Sequence, residues 1–231
     1  MTGSSLARWA GETVGTALLV SIGTGTAVAA ARIGGIPQWL TAIAWSAAVL
    51  IPILLVVRIS GAHLNPAVTL ALASSGRIGW AEVPEYWSGQ FVGAFAGSGA
   101  VLAILGPAGH LGSTVPANGD LFEAFLAEAG FTAVLVTAVF ELSDRGQGRY
   151  RWRLTLPALA VGISTYLIGP LTGSSLNPAR TLAPAVLSST YSGLWVYLTA
   201  VPMAALCVAL AWRPRAVDIQ ERGPGRVSND R

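Results

Sequence analysis

The residues with the clearest chemical consequence occur twice. Gly61–Ala71 reads GAHLNPAVTLA and Gly173–Ala183 reads GSSLNPARTLA; eight of eleven positions agree, which marks an internal duplication. Asn is a favoured N-cap, and Pro suits the first helical position, where its missing N–H is not needed. Asn65-Pro66-Ala67 and Asn177-Pro178-Ala179 therefore each predict a helix start, in the middle of apolar sequence rather than at its edge. At membrane depth, free helix ends occur only where the backbone is buried in protein or lines a polar cavity. Two such starts predict a pore or a binding site. Two facing helix N-termini would concentrate partial positive charge at one point and oppose cations, a hopping proton included.

The elements that must position these starts are helical and membrane-grade. The chain has 231 residues, 53% apolar and 11% charged, with a mean hydropathy of +0.59, which excludes an ordinary soluble domain. Apolar stretches near spanning length, about 20 residues, fall roughly at 10–31, 38–57, 87–105, 122–140, 154–168 and 194–212. After the second and the fifth comes a shorter piece of about 10 residues opening on Asn-Pro-Ala; two such pieces end to end rise about 30 Å, the hydrocarbon thickness. The expected fold is an all-α membrane protein with six transmembrane helices and two re-entrant half-helices. Glu12, Thr16, Ala17, Leu19 and Val20 match Glu128, Thr132, Ala133, Leu135 and Val136 at constant offset, so the first span pairs with the fourth and is no cleaved leader, despite the small residues at Ala27–Ala31. Each repeat holds three spans, and an odd number forces the second repeat to lie inverted. The expectation is one channel domain over 1–212, repeat one about 8–106 and repeat two about 121–212, then a disordered cytoplasmic tail at 213–231.

Charge sets the orientation. All 14 basic residues are Arg. Arg145, Arg149, Arg151 and Arg153 cluster between spans four and five, five more follow span six, and the connection 106–121 has none. The positive-inside rule then predicts both termini in the cytoplasm and 106–121 outside, in a multi-pass protein of the cell (plasma or inner) membrane. The basic balance is a topology signal, so no nucleic-acid partner is expected. Cys207 stands alone, which excludes an internal disulfide and suggests a small buried hydrophobe.

Glu12 and Glu128 lie within apolar spans, where an unsatisfied carboxylate is costly. They would form a proton relay or accept hydrogen bonds from the irregular backbone leading into each half-helix. Their equivalent places in the two repeats favour support. His63 faces Ser175 in the other repeat and has no ligand-spaced partner, so it reads as a hydrogen-bonded loop residue; no metal and no cofactor are expected. Arg180, with Val68 as its counterpart, lies in the first turn of the second half-helix, where a cation is disfavoured. A pore-mouth donor that repels cations accounts for it.

SGAHLNPAVTLALA and GPLTGSSLNPARTLAPAV resemble the signature loops of the aquaporin and glycerol-facilitator family, the major intrinsic proteins. The likeness covers residues 10 to 212 and includes Glu12 and Glu128. It implies an hourglass fold, usually a homotetramer with one pore per subunit in the lipid bilayer, and passive conduction of water or small neutral solutes. Carried over by spacing, the family's four-residue filter falls on Trp45, Thr165, Ser174 and Arg180. A water-only member would show His where Thr165 stands; Thr widens the constriction. The flat face of Trp45 would suit the carbon side of a polyol, with Arg180 and the hydroxyls serving its OH groups. Thr181 and Ala185 depart from the glycerol-facilitator pattern of Asp and a basic residue. With Trp195–Tyr197, the combination looks most like nodulin-like intrinsic proteins and their bacterial relatives, which implies glycerol, water and uncharged metalloid hydroxides. The competing readings are a water-selective channel and, more remotely, a proton-coupled transporter. No nucleophile–base pair or phosphate loop suggests an enzyme.

Overall fold

The computed structural model describes residues 4–144 and 151–212. The tail at 213–231 and the Arg side chains at 145, 149 and 151 lie outside the described residues. Among the described residues eight α-helices follow one another: α1 (Ser5–Arg32), α2 (Gln38–Ser60), α3 (Pro66–Ser74), α4 (Val83–Leu105), α5 (Leu121–Asp144), α6 (Thr155–Thr172), α7 (Pro178–Leu187) and α8 (Leu194–Ala211). Among the described residues there is no strand. All but α3 and α7 belong to segments long and apolar enough to cross a membrane. The two short helices have 9 and 10 residues and together rise about 28 Å, one bilayer core divided between them.

The packing repeats itself. In the first half α1 packs on α4 and α2; in the second α5 packs on α8 and α6. The halves then exchange their short helices, α3 against α8 and α7 against α4, while α2 meets α6. Each half-helix is thus held by the other repeat. The α1–α4 contact is backbone-close: a Cβ at Gly93 or Gly97 would lie 2.3 Å from Thr13 O or 2.5 Å from Ala17 O. Small residues permit this approach where burial from water cannot drive helix association.

Helix ends differ from the expected spans for local reasons. α1 begins at Ser5 rather than near residue 10, because Ser4 caps Ala7 N and Arg8 pairs with Glu85 at 3.2 Å. α2 and α6 run past their last aliphatic residues, through Ser60 and Thr172. They stop at Gly61 (φ 90°) and Gly173 (φ 77°), left-handed caps that suit glycine. Cys207 is exposed, not buried. It sits on α8, where exposed Met203 and Leu210 also lie. A helix apolar all round gives no sign of which face turns outward.

Candidate pore and selectivity site

The half-helices begin as their residues demand. Asn65 and Asn177 are extended N-caps (φ −158° and −151°) whose Oδ1 atoms accept from Ala67 N and from Ala179 N and Arg180 N. Each amide also donates across the repeat: Asn65 Nδ2 to Leu176 O (2.7 Å) and Asn177 Nδ2 to Leu64 O (2.8 Å). An amide has two N–H groups, so each Asn keeps one, and both residues line the same cavity. The reciprocal pair locks the two helix tips together.

The approach to each tip is strained in the same places. Ala62 and Leu64 have φ of 54°, and Ser174 and Leu176 have φ of 48° and 54°. Non-glycine residues in this region cost about 1–3 kcal/mol each and persist only when their surroundings over-determine them. Here a buried carboxylate does so. Glu12 accepts from Ser60 Oγ (2.7 Å), His63 N (3.0 Å), Leu64 N (2.7 Å) and Gln90 Nε2 (2.8 Å). Glu128 accepts from Thr172 Oγ1 (2.7 Å), Ser175 N (2.8 Å) and Leu176 N (2.9 Å). His63 donates or accepts at Thr69 Oγ1 (3.1 Å) and stacks on Tyr86 at 4.1 Å. Among the described residues no group of three or more His, Cys, Asp or Glu is placed to hold a metal.

A cavity of about 170 Å³ runs along these tips. Its apolar lining is mostly aliphatic and regularly spaced: after Trp45, Val49, Ile53 and Val57 recur every fourth residue of α2, joined by Leu19 of α1 and Leu135 of α5. Its polar lining is concentrated in a stripe from the loop Gly61–Asn65 through Ser175–Asn177 to Arg180, with Ser143 of α5 apart from it. Among the described residues nothing donates to the carbonyls of Gly61, Ala62 and His63. A solute in the cavity therefore meets a ladder of donors and acceptors on one stripe and mostly apolar side chains elsewhere.

Arg180 and Trp45 both line this cavity, and they touch: the guanidinium carbon lies 4.3 Å over the indole ring. A cation–π contact thus covers one side of Trp45. Apolar contact for a solute comes mainly from the aliphatic rows. Arg180 Nη1 donates to Gly112 O (2.9 Å) and Nη2 to Gly173 O (3.5 Å), while Nε has no partner. Thr165 and Ser174 are not among the cavity-lining residues. Ser174 Oγ pairs with Ser164 Oγ at 2.8 Å, so its hydroxyl is engaged within the protein. Thr165 is buried with an unpartnered Oγ1. It continues the lining row of Pro157 and Val161 at four-residue spacing, one turn beyond the cavity.

Several contributors escaped the sequence reading. Ser60 and Thr172 hand the carboxylates their hydroxyls and accept from Ala62 N and Ser174 N. Tyr86 and Tyr197 donate to Ser60 O and Thr172 O, both at 2.7 Å, tying α4 and α8 to the ends of α2 and α6. The connection between the halves folds inward: Leu111 and Thr114 are buried, and Thr114 Oγ1 meets Thr181 Oγ1 at 3.0 Å. Its signal was Gly106, Gly109 and Gly112, all at positive φ.

Six apolar helices, two half-helices meeting at their N-termini and a cavity with one polar stripe define a membrane channel of aquaporin-like architecture. The chain belongs to the major intrinsic protein family, whose profile matches residues 2–212. It is 37% identical over 209 residues to the rice (Oryza sativa subsp. japonica) protein "Aquaporin NIP1-3", covering 87% of this chain and 70% of that one. It is 42% identical over 146 residues to the maize (Zea mays) "Aquaporin NIP2-2", covering 61% of this chain but only 47% of that one. The X-ray structure of the aquaglyceroporin from Plasmodium falciparum superposes with a TM-score of 0.79 at 25% identity, over 90% of this chain and 95% of that one. The family is one of channels, not enzymes.

Proposed function

We propose that this channel passes small neutral polar solutes, glycerol-like polyols and uncharged metalloid hydroxides among them, together with water, and excludes ions and protons. The observation that carries this reading is the division of the cavity into aliphatic rows and one polar stripe, which matches a solute with carbon on one side and hydroxyls on the other. Trp45, Thr165, Ser174 and Arg180 form the filter, and Asn65 and Asn177 each offer the remaining amide N–H to a passing oxygen. Pro66, Ala67, Pro178 and Ala179 set the helix starts that aim those amides. An ion would need its hydration replaced, which one stripe of dipoles does not supply, and Arg180 with two helix N-termini opposes cations. Glu12, Glu128 and His63 hold the loops and move no proton, because Glu12 and Glu128 serve three or four fixed donors each and His63 bonds Thr69 of the half-helix that follows its loop. The names of the rice aquaporin and the Plasmodium aquaglyceroporin are consistent with this class. The Arg distribution supports cytoplasmic termini in the cell membrane, and family membership supports a homotetramer with one pore per subunit.

The filter assignment is tested by Thr165→His combined with Trp45→Phe. An imidazole at Thr165 would narrow the constriction and add a polar wall, so glycerol permeability should fall about tenfold or more while water permeability is kept. Stopped-flow light scattering on proteoliposomes reads both. Equal loss of the two fluxes would remove these residues from the filter.

A further inference from the structure

We infer that Gly23 of α1 is a specificity-determining positioning residue: its missing side chain is the recess that holds the edge of Trp45 out of the lumen. The inference rests on the filter reading above. Gly23 lies one turn after Leu19, which lines the cavity, so it occupies the same face of α1. A Cβ built there would lie 2.3, 2.5 and 2.7 Å from Cζ3, Cη2 and Cε3 of Trp45, three consecutive atoms on the far edge of the indole. Ordinary carbon–carbon contact is about 3.5–4.0 Å, so the ring would have to retreat by about 1 Å.

Two facts make this glycine a matter of space and not of backbone. Gly23 is inside a regular helix and is absent from the positive-φ residues, where alanine is the better helix former. Its neighbour on the same helix, Gly25, would place a Cβ no nearer than 3.6 Å from Val101. The two glycines differ in what they face. The ring has little freedom to retreat harmlessly: it is 5% exposed, and its face carries the Arg180 guanidinium at 4.3 Å. Arg180 is itself tethered to Gly112 O at 2.9 Å. A ring driven off α1 slides across this tethered cation within the cavity that both line, and the aperture changes. Gly23 acts on the solute only through Trp45.

The test is a set of variants in proteoliposomes: Gly23→Ala, Gly25→Ala, Trp45→Phe, Trp45→Ala and the double Gly23→Ala/Trp45→Phe, each read for glycerol and water permeability. Gly23→Ala should lower the glycerol-to-water ratio about tenfold, an overpacking effect expressed at the constriction. Gly25→Ala should leave the ratio at the wild-type value. A Phe ring ends short of the indole edge, so in the Trp45→Phe background Gly23→Ala should change the ratio no further, a non-additivity that a general folding defect does not produce. An unchanged ratio in Gly23→Ala beside an altered ratio in Trp45→Ala would overturn the role of Gly23 and leave the filter standing. An unchanged ratio in both would overturn the filter reading as well. Parallel loss of both fluxes in Gly23→Ala, not relieved by Trp45→Phe, would make Gly23 a folding residue and overturn the inference.

Discussion

Glu12→Leu is expected to leave little folded channel to recover. Leu removes the acceptor for four donors at once: Ser60 Oγ, His63 N, Leu64 N and Gln90 Nε2. The site is fully buried, so water cannot replace the lost oxygens. A buried donor left unpaired costs about 1–3 kcal/mol, and Ala62 and Leu64 would also lose the contacts that hold them at φ near 54°. The sum is comparable with a whole protein's usual margin of about 5–15 kcal/mol. Glu12→Gln separates support from charge. Ser60 can turn its hydroxyl to accept from a new NH₂ at Oε1, which leaves His63 N as the main conflict. An intermediate loss of thermal stability in detergent, with solute flux still indifferent to a pH gradient, is the expected result. Strict pH coupling in the wild type that Glu12→Gln abolishes would instead make Glu12 a proton carrier.

Arg180→Val gives the second large effect, and it is one of selectivity. Val is what the first repeat carries at the equivalent position, Val68, so the backbone of α7 should tolerate it. Among the described residues that line the cavity Arg180 is the one Arg; the substitution removes it, keeps the weaker helix dipoles, and uncovers the face of Trp45. Proton or small-cation leak should rise about tenfold or more, while glycerol entry is kept or increased. Proteoliposomes loaded with a pH-sensitive dye and given a pH step report the leak directly. Proton conductance equal to wild type would take the barrier away from Arg180 and assign it to the facing N-termini of α3 and α7.

What the sequence made legible follows from which interactions are local. A capping Asn followed by Pro is a self-contained instruction, and both half-helices start where that pair predicts. Apolar length is likewise local, so all six long helices were visible before any contact was known. The partners of Glu12 and Glu128 were legible in kind, as loop backbone, since a carboxylate in hydrocarbon must find donors and the nearest irregular backbone supplies them. Long-range pairings were not. Tyr86 and Tyr197 cap the ends of α2 and α6 from other helices, and Gly112 reaches Arg180 from a connection that reads as an ordinary outer loop. The Arg180–Trp45 stack was hidden for the same reason, because 135 residues separate its members (180 − 45 = 135). Gly23 shows the extreme case: its contribution is an absent side chain, which only the neighbouring ring makes visible.

The central claim is that the proposed filter of Trp45, Thr165, Ser174 and Arg180 admits neutral solutes larger than water. Stopped-flow light scattering on proteoliposomes of the unmodified chain tests it most directly, comparing osmotic shrinkage in a non-permeant sugar with re-swelling in glycerol and in arsenous acid. Re-swelling well above that of protein-free vesicles, in proportion to solute concentration and unaffected by a pH gradient, is the predicted result. Rapid water flux with no entry of either solute would contradict it and make the chain a water-selective channel.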